Sequence, residues 1–307
     1  MSLHVGLVGL PGAGKTTLFT ALTGIVGGAY GQEHVGVAPI PDERLEPIAA
    51  ALGSAETAPA TVQVVDPPGL SPAVLGSLRQ SDALIAVRRN FGPDADPARD
   101  GETLTVELVV ADEEHVERRL ERVRIQAKSG DPKPRAEAEE LERLVAHLEA
   151  GRGLDSYPGE LPPELEPLTT KPLLPIVNGT PEGPDLKLEA ELAELAPEEA
   201  AEFRDGPSPL ETVLAGLFEA AGLITFFTGN EKETRAWTLQ RGRTALDAAA
   251  AVHTDMARGF IRSEVVGWQQ LVDAGSRPEA ARRGVQRLEG KNYVVADGDV
   301  LNIRFNV

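Results

Sequence analysis

Apolar residues open the chain in a short cluster, "LHVGLVGL" at 3–10, that runs into a glycine-rich turn. Such a run predicts a buried parallel strand feeding a loop and then a helix at about 15–23. The stretches "TVQVVD" at 61–66, "ALIAVR" at 83–88 and "KPLLPIVN" at 171–178 repeat the strand signal. Together they predict the α/β class, with a doubly wound sheet. Between the last two runs the period changes. Val116, Leu120 and Val123 fall at i, i+4, i+7 within 112–125, and Leu141, Leu144, Val145 and Leu148 at i, i+3, i+4, i+7 within 137–148. The "SGDPKP" between them cannot continue a helix, so we expect an antiparallel helical hairpin inserted into the sheet domain. Its charged outer faces suit either plain solvation or a partner surface.

Residues 151–167 and 179–185 are rich in Pro, Gly and acid and read as loops or spacers. From 223 the pattern becomes β-rich, in "LITFFT", "TRAWTL", "FIRSEVV" and "YVVADGDVLNIRF", with a helical stretch near 244–252. The Asp297-Gly298 pair in the last run suits a hairpin turn. The expected organisation is a sheet domain over 1–111 and 168–222, a helical arm and linker over 112–167, and a compact α+β domain over 223–307.

Composition narrows the class. The 307 residues are 41% hydrophobic, enough to bury a sizeable core. No apolar run is long enough for a membrane span and no charged-then-apolar leader precedes the glycine loop, so we expect a cytoplasmic protein. The absence of Cys excludes disulfides, thiolate metal sites and a cysteine nucleophile. Five scattered histidines show no classical transition-metal cluster. A net charge of -18 argues against a protein that coats nucleic acid indiscriminately, and DNA is not an expected partner. Residues 223–307 depart from that balance, with 12 Lys+Arg against 10 Asp+Glu, and carry both tryptophans, Trp237 and Trp268. That segment is either the face for RNA or an RNA-rich partner, or simply a domain poor in acid.

Gly9-x-x-x-x-Gly14-Lys15-Thr16 matches the phosphate-binding P-loop pattern in full and lies between a predicted strand and a predicted helix, as that pattern requires. Glycines turn backbone N–H groups inward on phosphates, and the start of the helix adds its positive end. The candidate cradle is Gly9, Pro11, Gly12, Ala13, Gly14, Lys15, Thr16 and Thr17, with Lys15 reaching the β and γ phosphates and the Thr16 hydroxyl on Mg²⁺. Asp66, ending its strand in "DPPG", is the candidate second group on the metal side, and the Gly69 N–H the candidate contact to the γ phosphate. Read alone, Asp66 is equally a strand-end residue starting a proline turn. Arg88 and Arg89 could form an internal arginine finger or pair with nearby acid. His253 in "HTD" reads as a structural hydrogen-bonding group or as a base.

These residues resemble the YchF subfamily of Obg-like P-loop NTPases, almost end to end. The likeness is carried by "GLPGAGKTTLFTALT", "VGVAPIPDERL", "VADEEHVERRLERV", "KLEAELAELAPEEAAEF", "GLITFFTGNEKETRAWTLQRG", "HTDMARGFIRSEVV" and "LEGKNYVVADGDVLNIRFNV". It implies a G domain with a helical arm, a C-terminal TGS domain of β-grasp type, ATP favoured over GTP, and association with ribosomes. It also implies Asn178 and Lys187 as base-side residues.

The chain departs from the family pattern at several places. Gly12, Ala13 and Thr16 stand where the family usually has Asn, Val and Ser. Residues 24–53 contain no Ser or Thr, so the threonine that closes the first switch on the metal has no counterpart. Only Ser71–Ser81 separates Leu70 from Asp82 where the family has a long glycine-rich switch. No histidine occurs between His34 and His115, which leaves the water-placing position in the loop at 90–102 empty. "NGTPEG" puts Pro181 in the fourth place of Asn-x-x-Glu, and Asp185 precedes Lys187 in the Ser place of the base loop. Two readings follow: a slow nucleoside triphosphatase for ATP or GTP acting with the ribosome, or a non-hydrolysing scaffold that docks on a ribosomal or RNA partner through its arm and C-terminal domain.

Overall fold

The computed structural model describes residues 3–26, 31–128, 132–203 and 206–306. Among them the strands are β1 Leu3–Val8, β2 His34–Ile40, β3 Glu56–Ala58, β4 Ala60–Asp66, β5 Ala83–Arg89, β6 Leu173–Asn178, β7 Leu223–Gly229, β8 Glu233–Gln240, β9 Phe260–Gly267, β10 Arg287–Glu289 and β11 Asp299–Phe305. The α-helices are α1 Lys15–Thr23, α2 Leu45–Leu52, α3 Pro72–Leu75, α4 Pro97–Ala127, α5 Pro132–Glu149, α6 Leu186–Ala193, α7 Pro197–Glu202, α8 Pro209–Ala220, α9 Ala245–Val252, α10 Thr254–Arg258, α11 Trp268–Ala274 and α12 Arg277–Arg282. One sheet has the order β2-β4-β1-β5-β6 and the other β10-β9-β11-β7-β8-β3. By compactness the chain divides into a unit of His4–Gly36 and Val64–Pro209 and a unit of Met1–Leu3, Val37–Gln63 and Leu210–Val307.

In the first unit β1 and β5 are buried along most of their length, and they pair in parallel, Val5 opposite Ala83 through Val8 opposite Ala86. β5 pairs in parallel with β6 in turn, ending at Arg89 opposite Asn178. The expected helical hairpin is present but its first helix is longer than the periodicity suggested. α4 starts at Pro97, after an N-cap at Asp96 whose side chain accepts from the Arg99 amide, and runs 31 residues without a break. Its first half, through Leu104, Leu108 and Ala111, packs on the sheet with Val8, Leu75, Leu78 and Leu84. Its second half, through Val116, Leu120 and Val123, packs on Leu141, Leu144 and Leu148 of α5. The turn expected at "SGDPKP" falls partly on 129–131, which lie outside the described residues; α5 begins at Pro132.

The two halves of α4 meet at Asp112, which is fully buried. Its carboxylate accepts from the Arg79 guanidinium at 2.6 Å, from the Leu168 and Thr169 amides at 2.9 Å each, and from the Thr169 hydroxyl at 2.8 Å. Arg79 itself is buried and also donates to the Ala111 carbonyl. The shortened segment after "DPPGL" is therefore a fastened piece of helix: α3 is capped by the Ser71 hydroxyl, and a 3₁₀ turn at Gly76–Gln80 buries Leu78 and Arg79.

In the second unit the expected hairpin at Asp297-Gly298 does not form. "YVVADG" is a loop, held by Tyr293 Oη and the Ala296 amide donating to Asp299 and by the Thr225 amide donating to Asp297. β11 pairs instead with β9 in antiparallel register, Leu301 opposite Val265, and in parallel with β7, Val300 opposite Phe227. β3 adds an edge strand, parallel to β8. The helix expected near 244–252 is α9, opened by a capping box between Thr244 and Asp247. Its buried alanines pack with Ile224, Phe226, Val265 and Leu301.

Removing the Asp112 carboxylate in Asp112→Ala leaves a buried guanidinium and two amides without their acceptor. A loss of about 3–5 kcal/mol in urea denaturation is expected, and a loss below about 1 kcal/mol would show that water or other groups take its place. His115, one turn further along α4, has its pKa pushed down from 6.5 to about 4 by burial, with Arg79, Arg118 and Arg122 adding to the effect and Asp112 opposing it. Between those two values the unfolded chain takes up a proton that the folded chain refuses, so stability falls as pH falls from 6.5 towards 4. The gap in stability between His115→Gln and the native protein should shift in the variant's favour over that window, read by denaturation at stepped pH.

Candidate functional site

The glycine loop leaves β1 at Val8 and enters α1 at Lys15. Gly12 and Gly14 have φ of 80° and 101°, a conformation that side chains resist. A side chain at Gly14 would also strike the Asn178 side-chain amide. The N-cap of α1 is Gly14, which brings no side-chain acceptor to the first turn. The leading amides of α1 thus lack the usual capping oxygen, which is the state in which a helix start receives phosphate.

Side chains around the loop are already organised. Lys15 Nζ donates to the Gly9 carbonyl at 2.9 Å, folding back over the loop. Burial holds its pKa below the ordinary lysine value, and the Asp66 carboxylate works against that shift. Thr16 Oγ1 donates to Asp66 Oδ2 at 2.7 Å. Asp66 ends β4 and is only 3% exposed, yet its Oδ1 has no hydrogen-bond partner. A buried carboxylate oxygen without a partner beside a hydroxyl is a donor set suited to a small, hard cation. The expected cradle and the expected metal-side pair are thus brought together in one place.

Asn178 ends β6 and spans to the loop. Its Nδ2 donates to the Ala13 carbonyl at 2.9 Å and its Oδ1 accepts from the Leu186 amide at 3.3 Å. It acts as a strut between the P-loop and the start of α6, with its carbonyl oxygen already occupied. Lys187 lies elsewhere: its side chain is exposed and pairs with Glu191 at 3.8 Å, while Asp185 caps α6 by accepting from the Lys187 and Leu188 amides. Gly69 is half-buried, with open space where a Cβ would stand. Arg88 packs against Gly101 of α4, and Arg89 donates from its guanidinium to the Asp94 carbonyl; among the described residues neither side chain forms an ion pair. His253 Nδ1 accepts from the Asp255 amide, a local hydrogen bond at the start of α10.

One residue of the site escaped the sequence reading. His34, the first residue of β2, places Nδ1 3.4 Å from Asp66 Oδ2 and lies against the Phe19 ring. Motif spacing could not find it, because its partner is 32 positions away. The signal available was a histidine standing alone in a segment lacking the expected threonine.

Parallel strands β1, β5 and β6, a strand–glycine loop–helix and an acidic strand end facing the loop threonine define the P-loop nucleoside triphosphatase class. Comparisons agree. The family model described as "50S ribosome-binding GTPase" matches residues 4–133, and the YchF-GTPase_C model, described as "Protein of unknown function (DUF933)", matches 223–306. The chain is 34% identical to the ribosome-binding ATPase YchF of Bacillus subtilis over 366 positions and 35% identical to that of Haemophilus influenzae over 364, covering all of both chains in each case. The structure of the Schizosaccharomyces pombe YchF GTPase matches with a TM-score of 0.79 at 26% identity, over 99% of this chain and 98% of that one. The chain belongs to the YchF family. The matched stretches exceed its 307 residues, so these relatives carry segments that it lacks.

Asn178→Ala leaves the Ala13 carbonyl and the Leu186 amide without their partner. We expect a stability loss of about 1–3 kcal/mol in thermal denaturation. Weaker nucleotide binding should accompany it in calorimetric titration. An unchanged midpoint would show that the loop does not depend on this strut.

Proposed function

We propose that this chain is a YchF-type nucleotide-binding protein that takes ATP or GTP with Mg²⁺, hydrolyses it slowly and acts in the cytoplasm as a ribosome-associated factor. The observation that carries the reading is the Thr16–Asp66 pair, with an unpartnered buried oxygen, at the foot of a helix whose first turn lacks a side-chain cap. In this reading Lys15 exchanges the Gly9 carbonyl for the β and γ phosphate oxygens. Burial of Lys15 strengthens that contact, because charges attract more strongly out of water. The first-turn amides of α1 and the Gly69 N–H orient the phosphates. Thr16 and Asp66 hold the Mg²⁺, which neutralises phosphate charge when bound. Asn178 keeps the loop in shape and borders the base. The ribosome-binding ATPase name of the relatives supports the partner, and the family match over 223–306 supports a TGS-type domain there.

A second reading, a scaffold that grips nucleotide without cutting it, is favoured by one observation. The segment that should move on sensing the γ phosphate is fastened by the buried Arg79–Asp112 pair. Without an element that has two states, hydrolysis has nothing to flip. The two readings part in a turnover assay with ATP and GTP. For the slow enzyme, nucleotide is consumed above background and Lys15→Ala lowers the rate by about a hundredfold or more. Tight binding with no turnover in the native protein selects the scaffold. Co-sedimentation with ribosomes in the presence and absence of nucleotide tests the partner.

A further inference from the structure

The unit that carries the C-terminal strands holds a hollow of about 660 Å³, a size within the range of small-molecule sites. Cations from three different elements line it: Lys232 from the turn between β7 and β8, Arg277 from α12 and Arg304 from β11. Acid does not match them. Glu264 is spent across the ladder, accepting from Arg304 Nε at 3.0 Å and from Asn302 Nδ2 at 2.9 Å. Glu231 also lines the hollow but is exposed, where water and salt screen its charge. Opposite Arg304 in the β9–β11 ladder stands Arg262 rather than an acid, a placement of like charges that costs stability.

Arg277 is the uncompensated charge of this group. Both terminal nitrogens of its guanidinium, Nη1 and Nη2, are buried and neither has a hydrogen-bond partner. Burial pushes its pKa down, which Glu264 opposes and Arg304 reinforces, yet a guanidinium stays charged at any ordinary pH. A charge withdrawn from water without a partner is costly and calls for a counter-ion. We propose that this hollow binds a terminal phosphate group, free or on a small ester, and that Arg277 is its principal contact. The terminal nitrogens are packed under the lining, so the contact is made by rotating the side chain into the hollow, a rotamer change of the kind common on binding. Cations converging from a turn, a helix and a strand suit the tetrahedral spread of phosphate oxygens, whereas a carboxylate offers two oxygens in one plane, enough for a single fork. A terminal phosphate also carries close to two charges near neutral pH, and so offsets more of the surplus than a diester inside a polynucleotide. Neutral donors stand ready beside the cations. Ser276 Oγ accepts from the Glu279 amide and Asn230 Oδ1 from the Lys232 and Glu233 amides, which leaves the Ser276 hydroxyl and the Asn230 NH₂ to donate. Leu52 and Pro278 supply an apolar wall for the organic part of an ester.

The test is calorimetric titration of the full chain with ribose 5-phosphate, with inorganic phosphate and with an RNA hexamer that ends in a 5′-hydroxyl. The native protein should bind ribose 5-phosphate, and Arg277→Gln should weaken that binding about tenfold or more. Arg277→Lys, which keeps the charge and loses the fork, should fall between the two. Lys15→Ala, which removes the glycine-loop cation, should leave the Arg277-dependent binding unchanged. Because the buried guanidinium end makes no hydrogen bond, Arg277→Gln should fold and melt at or above the native temperature. Saturating ribose 5-phosphate should raise the midpoint of the native protein and not that of the variant. Inorganic phosphate binding as tightly as the ester keeps the site and assigns it to the free anion; weaker binding assigns it to the ester. No binding to the native protein, or equal binding in Arg277→Gln, overturns the proposal. Binding lost in Lys15→Ala and kept in Arg277→Gln places the phosphate in the glycine loop, which overturns the proposal and leaves the nucleotide reading standing. A hexamer that binds as tightly as the ester overturns the terminal phosphate in favour of a backbone contact.

Discussion

A single carboxylate withdrawn from water organises the unit that holds the glycine loop. Asp112 gathers a guanidinium from the segment after "DPPGL" and two amides and a hydroxyl from the chain that returns to the sheet. Burying a charge is tolerable only when every lone pair is used, and here they are. The consequences run outward. Leu168 and Thr169 are fixed, the Lys171 ammonium reaches the Ser81 carbonyl, and β6 enters beside β5 in a defined register. That register ends with Asn178 under the P-loop, so the shape of the phosphate cradle is tied through one strand to a carboxylate on the arm helix.

Much of this was legible because buried parallel strands read as uninterrupted apolar runs, and because the P-loop is a matter of backbone. Its glycines, its lysine and its position between strand and helix are all local. What failed was non-local. α4 was cut short in the reading because Gly101 and the β-branched Thr103, Thr105 and Val106 weaken helical propensity there, while burial of Leu104 and Leu108 against the sheet overrides it. The C-terminal hairpin was expected from a good turn sequence. Asp297 and Asp299, however, spend their oxygens on Thr225, Tyr293 and Ala296, and β11 finds its partners in strands far back in the chain.

The departures from the family pattern also make physical sense together. The relatives carry segments that this chain lacks, and its own short connections are capped, buried or bonded: Ser71 over α3, Arg79 on Asp112, Asp185 over α6. Short connections cost less entropy to close than long ones. The P-loop motif is present in full, while the first-switch threonine of the family pattern has no counterpart in 24–53. His34 stands beside Asp66 without a mark in the motif, because the two lie 32 positions apart in the chain.

α4 carries a mechanical consequence of its own. Thirty-one residues at the standard rise make a rod of about 46 Å, with one end seated on the sheet and the other forming half of the hairpin. There is no loop between these two jobs. A load on the hairpin's tip is therefore a torque on the same rod whose midpoint carries Asp112, and the lever reaches the sheet without a joint to absorb it.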